Sequence, residues 1–233
     1  MQYYRFHQRR TEDHAACQGL AGSSDLSRRM RHAFLITAYK DPDALVELID
    51  DLGSGAAIHI HWDRRSPLTK EEFQRITSKK QVKTFSRRYK VNWGSTRHLR
   101  ALLELSRKAL LDPDVQRLHA LSGSDRPIIP LRQFDVFFAE HEQSEFISGS
   151  PLPSANWQGG GLQRLTLYHP LDFLDVKRLN HARLRNLLLK LQRLFKVERS
   201  IKDLPPLHGG STRSSISRGL LPHVLHLVDG DKK

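Results

Sequence analysis

The chain has 233 residues, 38% of them hydrophobic, enough to bury the core of one α/β domain. Lysine and arginine outnumber aspartate and glutamate 38 to 25, and the resulting net charge of +13 points to an anionic partner: nucleic acid, anionic lipid or a phosphorylated small molecule. The single cysteine, Cys17, excludes an intrachain disulfide and a cysteine-based zinc site; with no apolar run long enough for a membrane span or the core of a signal peptide, a reducing, cytoplasmic setting is expected.

Residues 1–29 are polar, lack sustained periodicity and close with Gly19, Gly22, Ser23 and Ser24, the pattern of a poorly ordered extension, so Met30 is an alternative start. Residues 32–37 form a continuous apolar run of the kind buried on both faces of a parallel sheet. A helix is predicted from about residue 43, with Leu45, Leu48, Ile49 and Leu52 at helical spacing and Gly53 and Gly55 ending it. A second buried strand at 57–62 completes a βαβ unit and runs into Asp63, Arg64 and Arg65. The segments 37–40 and 63–65 therefore line one crevice at the carboxyl ends of two strands, where open α/β sheets bind ligands. His59 and His61 share a strand face, but two imidazoles without carboxylate partners do not make a metal site.

Thr69 and Glu72 match a capping box opening a helix to about residue 79, followed by a strand at 81–85 and a basic loop with Arg87, Arg88, Tyr89 and Lys90. The segment 96–111 reads as an amphipathic helix with Leu99, Leu102, Leu103, Ser106 and Leu110 on its inner face. A strand at 117–121 ends in a second polar cluster, Ser122 to Pro127, which includes Asp125. A helix at 131–141 and a strand at 145–148 lead to a loop at 149–161 that carries Trp157 and three glycines, suited to a lid or an acceptor loop. The basic helix at 183–196 is expected to turn Leu184, Leu187, Leu188, Leu191 and Leu194 inward and to leave its cations solvated; a membrane or nucleic-acid helix is the alternative. A last helix at 219–228 precedes a tail at 229–233. The nucleophile elbow GxSxG, the phosphate loop ending in GK[ST] and the dinucleotide fingerprint GxGxxG are all missing from the chain.

The Thr37-Ala38-Tyr39-Lys40 strand end, the block from Ile58 to Asp63, Trp93-Gly94-Ser95 before a long helix, Leu121 to Ile128, and Gly210-Ser211 through Ser217-Arg218 occur in the order of a known family. Over roughly residues 30–228 the chain resembles the core-2/I-branching glycosyltransferases, glycosyltransferase family 14, which include β-1,6-N-acetylglucosaminyltransferases and peptide O-xylosyltransferases. The resemblance implies a GT-A-like mixed, mostly parallel sheet flanked by helices. It also implies a UDP-sugar donor, GlcNAc first among the sugars, and an inverting, metal-independent transfer to a saccharide or peptide hydroxyl, without a cofactor.

By position, the resemblance sets Thr37, Ala38, Tyr39, Asp63, Arg64 and Arg65 around the donor, with Lys90 or Val91 close by and Asp125 in the second polar cluster. Trp157, Gly210 and Ser211 fall on the acceptor side. In the family, the catalytic base and the diphosphate-binding Arg and Lys follow the Gly-Ser…Ser-Arg motif, about where this chain ends, so weak or absent turnover is expected. Arg213-Ser214 stands where that motif usually has an aromatic pair, and Glu140, Glu142 and Glu145 are the remaining candidates for a substitute base. The rival from another class is a protein that binds nucleic acid or an anionic surface through its charge. Since the aromatics lie mostly in apolar runs rather than among the basic residues, nucleic acid is not expected as a partner, while peripheral membrane association stays open.

Overall fold

The computed structural model describes residues 31–155 and 157–230, so the 1–29 extension, Met30 and residues 231–233 lie outside the described residues. β1 (Arg31–Ala38) pairs in parallel with β2 (Ala57–Trp62), from Ala33 opposite Ala57 to Ala38 opposite Trp62. Between them runs α1 (Pro42–Asp51), its first turn closed by Asp41, whose side chain accepts the Ala44 N–H at 3.0 Å. Proline at the first helical position costs no hydrogen bond there, so Asp41-Pro42 is an efficient start signal. α2 (Lys70–Thr77) opens with the predicted reciprocal capping box between Thr69 and Glu72 and leads to β3 (Val82–Ser86), parallel to β2.

α3 (Thr96–Ala109) then carries the chain back across the sheet to β4 (Val115–Ser122), which pairs in parallel with the opposite side of β1. The remaining elements are α4 (Leu131–Glu140), β5 (Phe146–Ile147), β6 (Ser150–Pro151), α5 (Gln163–Thr166), α6 (Leu179–Leu194), β7 (His208–Gly209), β8 (Ser214–Ser217) and α7 (Leu220–Gly230). β8 lies antiparallel between β4 and β5, which completes a six-stranded, mostly parallel sheet in the order β3-β2-β1-β4-β8-β5; β6 and β7 pair separately.

The alternation of side chains along β1 divides the core between the two faces of the sheet. Phe34 and Ile36 join Ile58, Ile60 and Trp62 against Leu45, Leu48 and Ile49 of α1, whereas Ala33 and Leu35 pack with Leu103, Leu105, Leu118 and, from α7, Leu221 and Leu225. One part of the interior is polar. His32 Nδ1 lies 2.9 Å from His119 Nε2, and His119 Nδ1 lies 2.8 Å from Ser215 Oγ, in a cage formed with Phe34, Phe134 and Phe138. Beside it Arg117, only 1% exposed, donates to the carbonyls of Ser144, His141 and Glu142, which ties the α4–β5 connection to the sheet.

Several expectations need correction. On α3, Leu103 and Ser106 are buried and Leu102 and Leu110 pack partly buried on the core as expected, but Leu99 is more than half exposed, and Ala101, Leu105 and Ala109 join the inner face. The leucines of α6 are not turned inward, for Leu184, Leu187, Leu191 and Leu194 are 45%, 53%, 40% and 72% exposed and only Leu189 is buried. α7 runs to Gly230, so Asp229 belongs to the helix, where its carboxylate accepts from Arg107, and not to a tail. Glu145 pins β8 by accepting from the Ser217 N–H and hydroxyl, and neither it, Glu140 nor Glu142 lines the cleft described next.

Candidate functional site

β2 and β4 flank β1 on opposite sides, so the direction of winding reverses between β1 and β4. A reversal of this kind leaves a crevice that no crossover covers. Here the carboxyl ends of β1, β2 and β4 open into a cleft of about 1140 Å³, its floor formed by Thr37, Ala38, Tyr39, His61, Asp63 and Ser122. Gly123 lets β4 leave against β1, since a Cβ at that position would stand 2.8 Å from the Ala38 Cβ.

Asp63 and Arg65 hold the floor together. The buried Asp63 carboxylate accepts the N–H groups of Arg65 (2.8 Å) and Val91 (3.0 Å) as well as the Arg65 guanidinium. Arg65 donates in addition to the Asn92 side chain (2.7 Å), the Val91 carbonyl (2.7 Å) and Asp175 (3.4 Å). A guanidinium has five N–H donors, and these partners occupy all of them. Asp63 and Arg65 therefore clamp the 89–92 loop onto the strand ends, and neither has capacity left for a ligand.

The facing wall comes from residues 164–199. Asp172 reaches α3 and accepts the Thr96 N–H (2.9 Å) and hydroxyl (2.6 Å), capping a helix whose own Ser95 makes no side-chain cap. Around it, Arg164, Lys177, Arg178, Arg185 and Arg199 line the cleft, and among the described residues none of the five forms an ion pair with a carboxylate. Lys177 lies 5.0 Å from the centre of the Tyr39 ring, and Arg164 and Arg199 rest over Trp157 and Tyr168 at 4.7 and 4.8 Å. The Nε of Arg185 is buried without a hydrogen-bond partner. Burial holds two of the imidazoles that line the cleft, His61 and His98, below their ordinary pKa, so both are neutral near pH 7; His98 Nε2 sits 3.1 Å from the Thr37 hydroxyl.

Of the residues singled out in the sequence, Thr37, Ala38, Tyr39, Asp63, Arg65 and Val91 come together in the cleft. Arg64 and Lys90 are exposed outside it, and Asp125 sits beside it as the partner of Arg213. Burial by itself would raise the Asp125 pKa, but the Arg213 guanidinium and the Ser122 N–H more than offset this and lower it. Arg213 and Asp125 form a bidentate pair. Trp157, Gly210 and Ser211 do not line the cleft themselves, although Arg164 and Thr212 beside them do: Trp157 packs on Gly209, and Gly210 passes so close to the Ser148 carbonyl that a Cβ would be 1.9 Å from its oxygen. The basic wall was not anticipated, because its members are scattered through a stretch with no local pattern except charge.

Among the described residues no group of three or more His, Cys, Asp or Glu is placed to hold a metal ion, and no helix is long and apolar enough to cross a membrane. No protein-family model matches the chain, and a search of curated proteins finds no significant match. Fold and site together define an α/β protein with a cation-rich cleft at the switch point of a mostly parallel sheet.

Proposed function

We propose that the cleft binds the nucleoside diphosphate of a UDP-sugar and that the chain is a glycosyltransferase of GT-A-like fold, with GlcNAc the first candidate sugar. The observation that carries this reading is the unpaired basic wall facing the carboxyl ends of the parallel strands. A diphosphate brings at least two negative charges, and arginine guanidinium groups match its oxygens in geometry as well as in sign. Arg178, Arg185 and Lys177 can supply the neutralisation that the resemblance assigns to residues downstream, and cations in this position would stabilise a departing diphosphate without a metal.

Inverting transfer also requires a carboxylate to take the acceptor proton. The three carboxylates lining the cleft are all engaged: Asp63 and Asp175 by Arg65, and Asp172 by Thr96. The expected behaviour of the chain alone is therefore donor binding with weak transfer or none. Calorimetric titration with UDP, UDP-GlcNAc and UDP-xylose, first with a chelator and then with manganese, tests the proposal. We expect binding that survives the chelator and weakens about five- to tenfold in Arg178→Ala and Arg185→Ala, corresponding to one charge-assisted contact each. No heat with any nucleotide, or affinity unchanged in both variants, overturns it; preference for UDP-xylose moves the assignment to the xylosyltransferase branch.

A further inference from the structure

We infer that α6 and the residues just after it form a docking surface for an anionic lipid bilayer. Leu184, Leu187, Leu191 and Leu194 follow the i, i+3, i+7, i+10 spacing of one helix face, and all four are exposed. Phe195 and Val197, 70% and 46% exposed, extend the ridge past the end of the helix. The opposite side of α6 is fixed to the protein through the buried Leu189 and through Gln192, whose amide accepts the Tyr168 N–H (2.8 Å) and donates to the Tyr168 carbonyl (3.0 Å). The ridge is thus held outward by polar anchoring behind it. A groove of about 480 Å³ lined by Tyr168, Pro170, Leu188, Leu191, Phe195 and Val197 continues the apolar surface.

Charge selects the occupant. Arg183 and Lys190 form a second row, adjacent to the leucines on the helix surface, and α6 has no acidic residue at all. A second copy of the chain would bring like charges together with nothing on the helix to neutralise them. An anionic bilayer satisfies both rows at once, since apolar side chains enter the acyl boundary while long cationic side chains reach headgroup phosphates. The occupant is therefore argued from charge: the exposed leucines need only an apolar medium, and the cations beside them need an anionic one.

The inference goes beyond the nucleotide site and does not depend on it. The test is co-sedimentation of the full chain with vesicles of pure phosphatidylcholine and with vesicles of phosphatidylcholine and phosphatidylglycerol in equal parts, at low and high salt. We expect partitioning onto the anionic vesicles alone, weakened by salt and reduced about tenfold by Leu187→Gln/Leu194→Gln and by Arg183→Gln/Lys190→Gln. The substituted side chains are largely exposed, and circular dichroism is expected to report unchanged folding in both double variants. Binding to neither vesicle, equal binding to both, or undiminished binding by the leucine variant overturns the inference. So does a dimer in light scattering that the leucine substitutions dissolve, which would make a second copy the occupant.

Discussion

The two walls of the cleft are built on opposite principles. On the side of β1 and β2 the charged groups of the floor have their partners inside the protein: Asp63 and Arg65 saturate each other and the 89–92 loop, and the apolar strands beneath them are covered. On the side of α5 and α6, Arg164, Lys177, Arg178, Arg185 and Arg199 face the cleft without an ion-pair partner among the described residues, the Arg185 Nε–H is buried unbonded, and leucines face outward. The first wall gains nothing from a ligand and serves as a rigid reference. The second has charged and apolar groups without partners of its own, which the two proposed ligands would supply, anions on the inner side of α6 and apolar medium on the outer.

This contrast can be broken or sharpened by perturbing the saturated half. The largest effect is expected from acid. Burial, the dominant cause, lowers the pKa of both His32 and His59 from 6.5 to about 4, with Arg117 adding to the shift at His32, and burial beside His32 and Arg117 holds His119 well below 6.5. An unfolded chain therefore binds protons that the folded one refuses. The contribution of these histidines to stability is complete above pH 6.5, is lost as pH falls from 6.5 to 4, and does not change further below that for His32 and His59. At about 1.4 kcal/mol per pH unit, each costs about 3 kcal/mol by pH 4. Urea titrations at pH 7.5 and 4.5 are expected to give midpoints far apart; equal midpoints would mean that the imidazoles are not held neutral.

Next in size is Asp63→Asn. It removes the negative charge from a buried clamp and leaves the Arg65 guanidinium poorly matched, so a loss of about 3 kcal/mol is expected from chemical denaturation. A loss confined to nucleotide affinity, with stability untouched, would instead make Asp63 a ligand contact and erase the distinction between the walls. The smallest effect is expected from Asp172→Ala, which uncaps α3 from the opposite wall and is expected to cost about 1 kcal/mol, read as a shifted urea midpoint.

The parts of the molecule that were legible in the sequence are those set by short-range pattern. Continuous apolar runs gave β1 and β2, and β4 was placed to within a few residues; helical spacing gave α1 from about residue 43, and the Thr69–Glu72 box gave the start of α2. Periodicity also located α6, but periodicity reports only that one face is apolar; whether anything covers that face is decided by elements far away in the chain. The same limit explains α3, where Leu99 and Leu105 are equally apolar in sequence and only the packing against β1 and β2 distinguishes them. The strand expected at 145–148 is β5, whereas the two-residue strands β6 and β7 carry too little pattern to be read locally. Asp63 was found as a strand-end carboxylate, yet its commitment to Arg65 and Val91 became visible only once the loop at 89–92 was in place.

The position of β8 also sets a timetable. β4 is made early in synthesis, but His119 lies 96 residues before Ser215, the residue that meets its Nδ1, and the antiparallel pairing of Leu118 with Ile216 waits for the same segment. At roughly 5–20 residues per second of translation, that interval is on the order of 5–20 s. During it the βαβ half can condense from local contacts, while the outer edge of β4 stands open with a polar imidazole beside it. A nascent chain at that stage displays an unpaired strand edge, which a chaperone could cover and which a neighbouring nascent chain could join by mistake.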